Sequence, residues 1–133
     1  MFSLNFEKLL SYDAGELGIN LNVSLQLLNE SVELVAKIDT GASHCLFERR
    51  YGEQLGLDIE TGIVQKFSTA TGTFLAYGHN VTLVTDDLEF DSYIFFYADG
   101  NSPKPNVLGR FGWLDRIILG LVDYDGKLYL NRY

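Results

Sequence analysis

AKIDTGASHC, residues 36–45, ends an apolar run with one carboxylate, Asp39, and turns at once on Thr40 and Gly41. An acid at the end of an apolar strand is costly to desolvate unless something holds it or uses it. Upstream the pattern has period two. In LGINLNVSLQLL, residues 17–28, Ile19, Leu21, Val23, Leu25 and Leu27 share one face, and Asn20, Asn22, Ser24 and Gln26 share the other. That alternation predicts a half-buried strand. Asn29-Glu30-Ser31 reads as a polar turn, and SVELVAKI alternates again through Val32, Leu34, Ala36 and Ile38. The segment therefore predicts a β-hairpin that delivers Asp39 at its end.

Downstream, FERRYGEQLGL (47–57) reads as one or two helical turns stopped by Gly56. Further strands are predicted over 63–68, 73–77, 80–85, 88–98 and 118–122, with a last one over 127–131 after the turn signal Tyr124-Asp125-Gly126. FGWLDRI (111–117) reads as a short helix, ADGNSPKPN (98–106) as a loop, and His79 as part of a polar turn. The class is all-β with one or two short helices, a closed barrel or sandwich. No internal repeat or linker divides the chain, which reads as one domain over 1–133.

Composition excludes several functions. Ten Lys and Arg stand against 18 Asp and Glu, for a net charge of −8. Such a surface repels phosphate backbones, so no nucleic-acid partner is expected. With 47% hydrophobic residues the chain can build a core. Its N-terminal MFSLNFEKLLSYD lacks a basic start and a long apolar run, so no signal peptide is expected. No run approaches the roughly 18 apolar residues of a membrane span. Cys45 is the only cysteine, which leaves no internal disulfide and makes a cytoplasmic location the default. Cys45 reads as a small buried hydrophobe rather than a catalytic thiol.

Three segments fall into one order. The first is an apolar strand followed by Asp39-Thr40-Gly41-Ala42-Ser43. The second is FSTATGTFLAYG (67–78), a hairpin with Gly72 near its tip. The third is NVLGRFGWLDRIILGLV (106–122), an apolar strand, Gly109-Arg110, a short helix and a second apolar strand. In this order the chain resembles the retropepsin-like aspartic proteases, over roughly residues 17–131. The resemblance implies the closed barrel of that family and an aspartic endopeptidase acting on a peptide or protein substrate without cofactor or metal. Pepsin-like enzymes carry two Asp-Thr-Gly motifs on two lobes, whereas this chain has one motif. The resemblance therefore implies a homodimer in which Asp39 of each subunit meets at a twofold axis.

The chemistry has its own logic. Amide hydrolysis without a metal needs a base to activate water and an acid to protonate the carbonyl or the leaving group. Two close carboxylates supply both, because they cannot both ionise cheaply and come to share one proton; aspartic proteases are the standard case. By the same resemblance Thr40 braces the two loops across the interface, and Gly41 permits close approach. The loop Thr40, Gly41, Ala42 and Ser43 then shapes the site. Thr69, Ala70, Thr71, Gly72 and Thr73 would form a flap over substrate, and the Gly109-Arg110 pair would stand beside the active-site loops. The family often places Asp or Asn after Gly-Arg; here it is Phe111. Retroviral members pair that arginine with an acid soon after Asp-Thr-Gly-Ala, where this chain has Ser43 and His44.

Plainer readings stand beside these. Asp39 is also a common turn residue, and His44 reads as a solvated loop histidine, with a tuning role toward Asp39 as the alternative. Phe95, Phe96, Tyr97 and Trp113 read as core or interface rather than a sugar platform. Asp86-Asp87 and Asp123-Tyr124-Asp125-Gly126 invite a calcium reading, but the latter lacks the spacing of an EF-hand loop and reads as a hairpin turn. A non-catalytic retropepsin-like module that dimerises or binds an extended peptide is the alternative function.

Overall fold

The predicted alternation becomes ten strands in the computed structural model, which describes all of residues 1–133. In chain order they are β1 (Lys8–Ser11), β2 (Ile19–Leu27), β3 (Glu30–Ile38), β4 (Leu46–Phe47), β5 (Ile63–Thr69), β6 (Gly72–Thr85), β7 (Leu88–Tyr97), β8 (Val107–Leu108), β9 (Ile117–Val122) and β10 (Lys127–Arg132). One α-helix, α1 (Arg49–Gln54), and three single 3₁₀ turns complete the chain. No helix is long and apolar enough to cross a membrane.

The hairpin read first is present, with β2 and β3 paired from Ile19–Ile38 to Leu27–Glu30. Its loop is Leu28-Asn29, one residue earlier than the polar turn predicted. Leu28 takes a left-handed conformation (φ 53°) with its side chain in solvent. Leu21, Val23 and Leu25 of β2 and Val32, Leu34 and Ala36 of β3 are all buried, as the alternation requires.

Neighbouring strands run in the order β2-β3-β8-β4-β7-β6, and β6 pairs back onto β2 between Val23–Thr85 and Gln26–Thr82. The sheet thus returns on itself, and closure leaves few free edges. β5 hangs from the other end of β6. Inside the ring Phe47, Phe96, Leu83, Ile94 and Trp113 are buried, and the Trp113 indole donates to Thr85 Oγ1 at 2.9 Å. Trp113, Phe95, Phe96 and Tyr97 are therefore core residues.

The structure corrects two local expectations, at His79 and over 111–117. The turn expected at His79 is absent, and β6 is one 14-residue strand. Gly78 leaves room for the Tyr93 ring, and His79 Nε2 bonds Ile59 O at 2.8 Å, so the polar residues sit inside the ladder. The helix expected over 111–117 is one turn, Leu114–Arg116, because Gly112 adopts φ +103°. The helix of 47–57 is α1 alone, and Gly56 (φ +86°) ends it as predicted. A second, three-stranded sheet places β10 between β1 and β9. Both edges of β10 are thereby occupied within the chain. The free edges of this sheet belong to β1 and β9.

Candidate active site

β3 and β8 run parallel, with Lys37 beside Val107 and Ile38 beside Leu108. Asp39 continues that pairing by one rung, its amide donating to Leu108 O at 3.0 Å. The chain then turns sharply. The Gly41 amide donates to Asp39 Oδ1 at 3.0 Å, and the Ala42 amide to Asp39 O at 3.1 Å. The loop next runs alongside Gly109-Arg110-Phe111. Arg110 N donates to Ala42 O and Phe111 N to Ser43 O, both at 2.9 Å. Two rigid strand ends thus fix the backbone on either side of Asp39.

Beneath this crossing lies Cys45, fully buried. Its sulfur accepts the Gly109 amide at 3.4 Å, and its thiol donates weakly to Phe111 O at 3.7 Å. Burial pushes the thiol up to about 12, so it is an inert structural group, as the sequence suggested.

Asp39 is half-buried, while Thr40 and Gly41 are exposed. The Thr40 hydroxyl forms no hydrogen bond within the chain. A Cβ on Gly41 would meet only Asp39 Oδ1, at 3.3 Å. Within one chain nothing but the turn explains this glycine, and the steric demand lies at Gly109 instead.

Asp39 opens into a cleft of about 640 Å³. Gly41, Ala42, Ser43 and His44 form one side of it. The roof is the β5–β6 hairpin, in register from Ile63–Gly78 to Thr69–Gly72. Thr69 Oγ1 donates to Gly72 O at 3.0 Å and lies 3.2 Å from Thr71 Oγ1, which ties the tip. Thr69 and Thr71 line the cleft; Ala70, Gly72 and Thr73 complete the turn without lining it.

The walls were not read from the sequence. Phe67 and Phe74 are cross-strand partners whose rings stack at 5.4 Å. Tyr97 packs against Phe74 at 5.2 Å and donates to Pro105 O at 2.7 Å, tying the 98–106 loop to the wall. Leu46 and Val107 also line the cleft. The Phe67/Phe74 pair was legible in principle, because the two residues sit symmetrically about the predicted hairpin tip. Lys104 is the one lysine lining the cleft, and its ammonium is bonded to Asp99 Oδ2 at 3.1 Å.

His44 is not a solvated loop residue. It is half-buried and its ring lies 5.1 Å from Phe95 and 5.5 Å from both Phe67 and Phe111. Burial lowers its pKa below the ordinary value. Gly109 and Arg110 stand outside the cleft. Arg110 is exposed, has no carboxylate partner in the chain, and lies 5.8 Å over the Phe111 ring. Phe111 therefore occupies the place beside this arginine by stacking. No group of three or more His, Cys, Asp or Glu side chains converges anywhere in the chain as a metal-ligand set would.

A family model described as aspartyl protease matches residues 23–110, more than half of the chain. No curated protein matches. Among solved structures, a retropepsin-like aspartic protease from Rickettsia conorii is similar at 18% identity and TM-score 0.65, covering 99% of this chain and 98% of that one. The EIAV protease, solved with the inhibitor HBY-793, is similar at 14% identity and TM-score 0.57, covering 76% of this chain and 88% of that one. At these identities the likeness is one of fold, and that fold is retropepsin-like.

Proposed function

Because the chain belongs to the aspartyl protease family, we propose that it is an aspartic endopeptidase acting as a homodimer, with residues 1–133 as one catalytic domain. Asp39 of each subunit would form the catalytic dyad. The observation that carries this reading is the position of Asp39, held at the end of β3 in a cleft roofed by a hairpin. One short chain with one such motif needs a second copy to supply the second carboxylate. The exposed Thr40-Gly41 turn is the surface on which that copy would pack.

In the dyad one carboxylate is charged and the other protonated. The charged one takes a proton from water, which attacks the scissile carbonyl carbon. The protonated one gives its proton to the carbonyl oxygen, and a proton then passes to the leaving nitrogen. The β5–β6 hairpin closes over the peptide and excludes bulk water. Its tip offers backbone groups and small hydroxyls to an extended chain, and the Phe67, Phe74 and Tyr97 rings favour apolar substrate side chains.

Two measurements test the reading together. Cleavage of a peptide library between about pH 4 and 7, by a species of dimeric mass in light scattering, supports it. A strictly monomeric mass well above assay concentration sinks the dimeric dyad. Peptide binding without cleavage moves the reading to a non-catalytic peptide-binding module.

A further inference from the structure

Resting on the protease reading of this same cleft, we propose that His44 is a specificity-determining residue. It admits a substrate Glu or Asp side chain at acid pH and favours an uncharged one at neutral pH.

The first ground is position. His44 belongs to the active-site loop, two residues beyond Ala42, and lines the cleft that holds Asp39. The second is the way the ring is held. Phe67 from the flap and Phe95 from β7 meet it edge to face, with interplanar angles of 82° and 81°, and Phe111 covers a third side. Nδ1 is engaged by Ser43 Oγ at 2.8 Å, and Nε2 has no partner in the chain. The free nitrogen is thus left to whatever occupies the cleft.

The third ground is charge. Asp39 and Cys45 lie on the same loop, Lys66 on the flap, Tyr97 on β7, and Lys104 on the loop that follows it. Arg110 and Asp115 lie on the segment carrying Phe111. None of them forms an ion pair with the imidazole, and burial alone sets the direction of its shift, downward. His44 is therefore neutral at neutral pH and becomes charged only on acidification. A neutral imidazole among three phenyl rings is an apolar wall. An imidazolium there has aromatic rings around it but no counterion, and a substrate carboxylate supplies one. By linkage, that carboxylate raises the His44 pKa toward its ordinary value, so binding and protonation reinforce each other.

The test compares matched peptides differing only by Glu or Gln at each position around the scissile bond, with wild type, His44→Phe and His44→Gln, at about pH 5 and 7.5, where Glu is largely ionised. The Glu/Gln ratio of kcat/KM cancels the pH profile of the shared dyad. In wild type the ratio at one position should rise about tenfold on going to the lower pH, as one partly shielded charge pair gives. In both variants it should stay flat, whatever happens to the overall rate. A flat ratio in wild type, or the same rise in the variants, overturns the inference while leaving the protease reading in place. Absence of cleavage of any peptide by wild type overturns both.

Discussion

Gly109 has no side chain because the carbonyl group of His44 occupies the place where one would begin. A Cβ built there would overlap the His44 carbonyl oxygen and stand 2.6 Å from its carbon and 2.9 Å from Ala42 O. These are backbone atoms in a loop fixed by its hydrogen bonds to residues 110 and 111, so they have little room to move.

Gly109→Ala should therefore destabilise the fold by about 3 kcal/mol, the upper end for overpacking a rigid site. Urea denaturation reads this directly. A loss below about 0.5 kcal/mol would mean that the Asp39 loop and the Gly-Arg segment are less tightly crossed than they stand here.

Cys45 should resist thiol reagents in the native protein. It is fully buried, and its thiol is pushed up to about 12, so neither access nor thiolate is available at pH 8. Labelling by a colourless-to-yellow disulfide reagent should be negligible until denaturant is added, then reach one equivalent per chain. Rapid native labelling would show that the loop opens from Gly109.

These tight contacts explain how much of the fold was legible. The β2–β3 hairpin declares itself through a local period-two pattern, the β5–β6 hairpin through Gly72 near its tip, and Asp39 through the turn that follows. β8 was read as the apolar strand before Gly109-Arg110, whereas β4 contains two residues and exists only because it pairs with β7 and β8 far away in sequence, so no local pattern carries it. β1 was missed because four residues that begin with Lys8 have too little alternation to register. The His44 cage is assembled from residues 67, 95 and 111, so only the fold brings it together. Gly78-His79-Asn80 looked like a turn because the partners that admit it to a strand, Tyr93 and Ile59, are equally remote.

Thr40→Val tests the proposed interface. The Thr40 side chain has no partner within its own chain and faces outward, so a bracing role would appear only in the dimer. Valine keeps the shape and removes the hydroxyl, at a cost of about 1–3 kcal/mol for each buried bond left unmade. The expected result is easier dissociation on dilution in sedimentation, with activity falling mainly at low protein concentration. An unchanged dissociation constant would reduce Thr40 to a turn residue.

Asp39→Asn tests the chemistry itself. If two Asp39 carboxylates share a proton, activity follows a bell bounded by the pair's two apparent pKa values, which belong to the dyad and not to either residue. Above the upper value both groups are charged and no acid remains; below the lower value both are neutral and no base remains. The like-charge repulsion has the same pH sense: it weakens the wild-type dimer as pH rises through the upper value and relaxes as pH falls. Asparagine is nearly isosteric and never charges. The mutant should therefore fold and dimerise, and its dimer should be flat in pH where the wild type weakens. Peptide cleavage should fall by a hundredfold or more, on the order of a lost general acid–base pair. Dimer stability and cleavage measured across the same pH range separate the two effects. A mutant that cleaves at the wild-type rate would remove Asp39 from the reaction, whatever its dimer does.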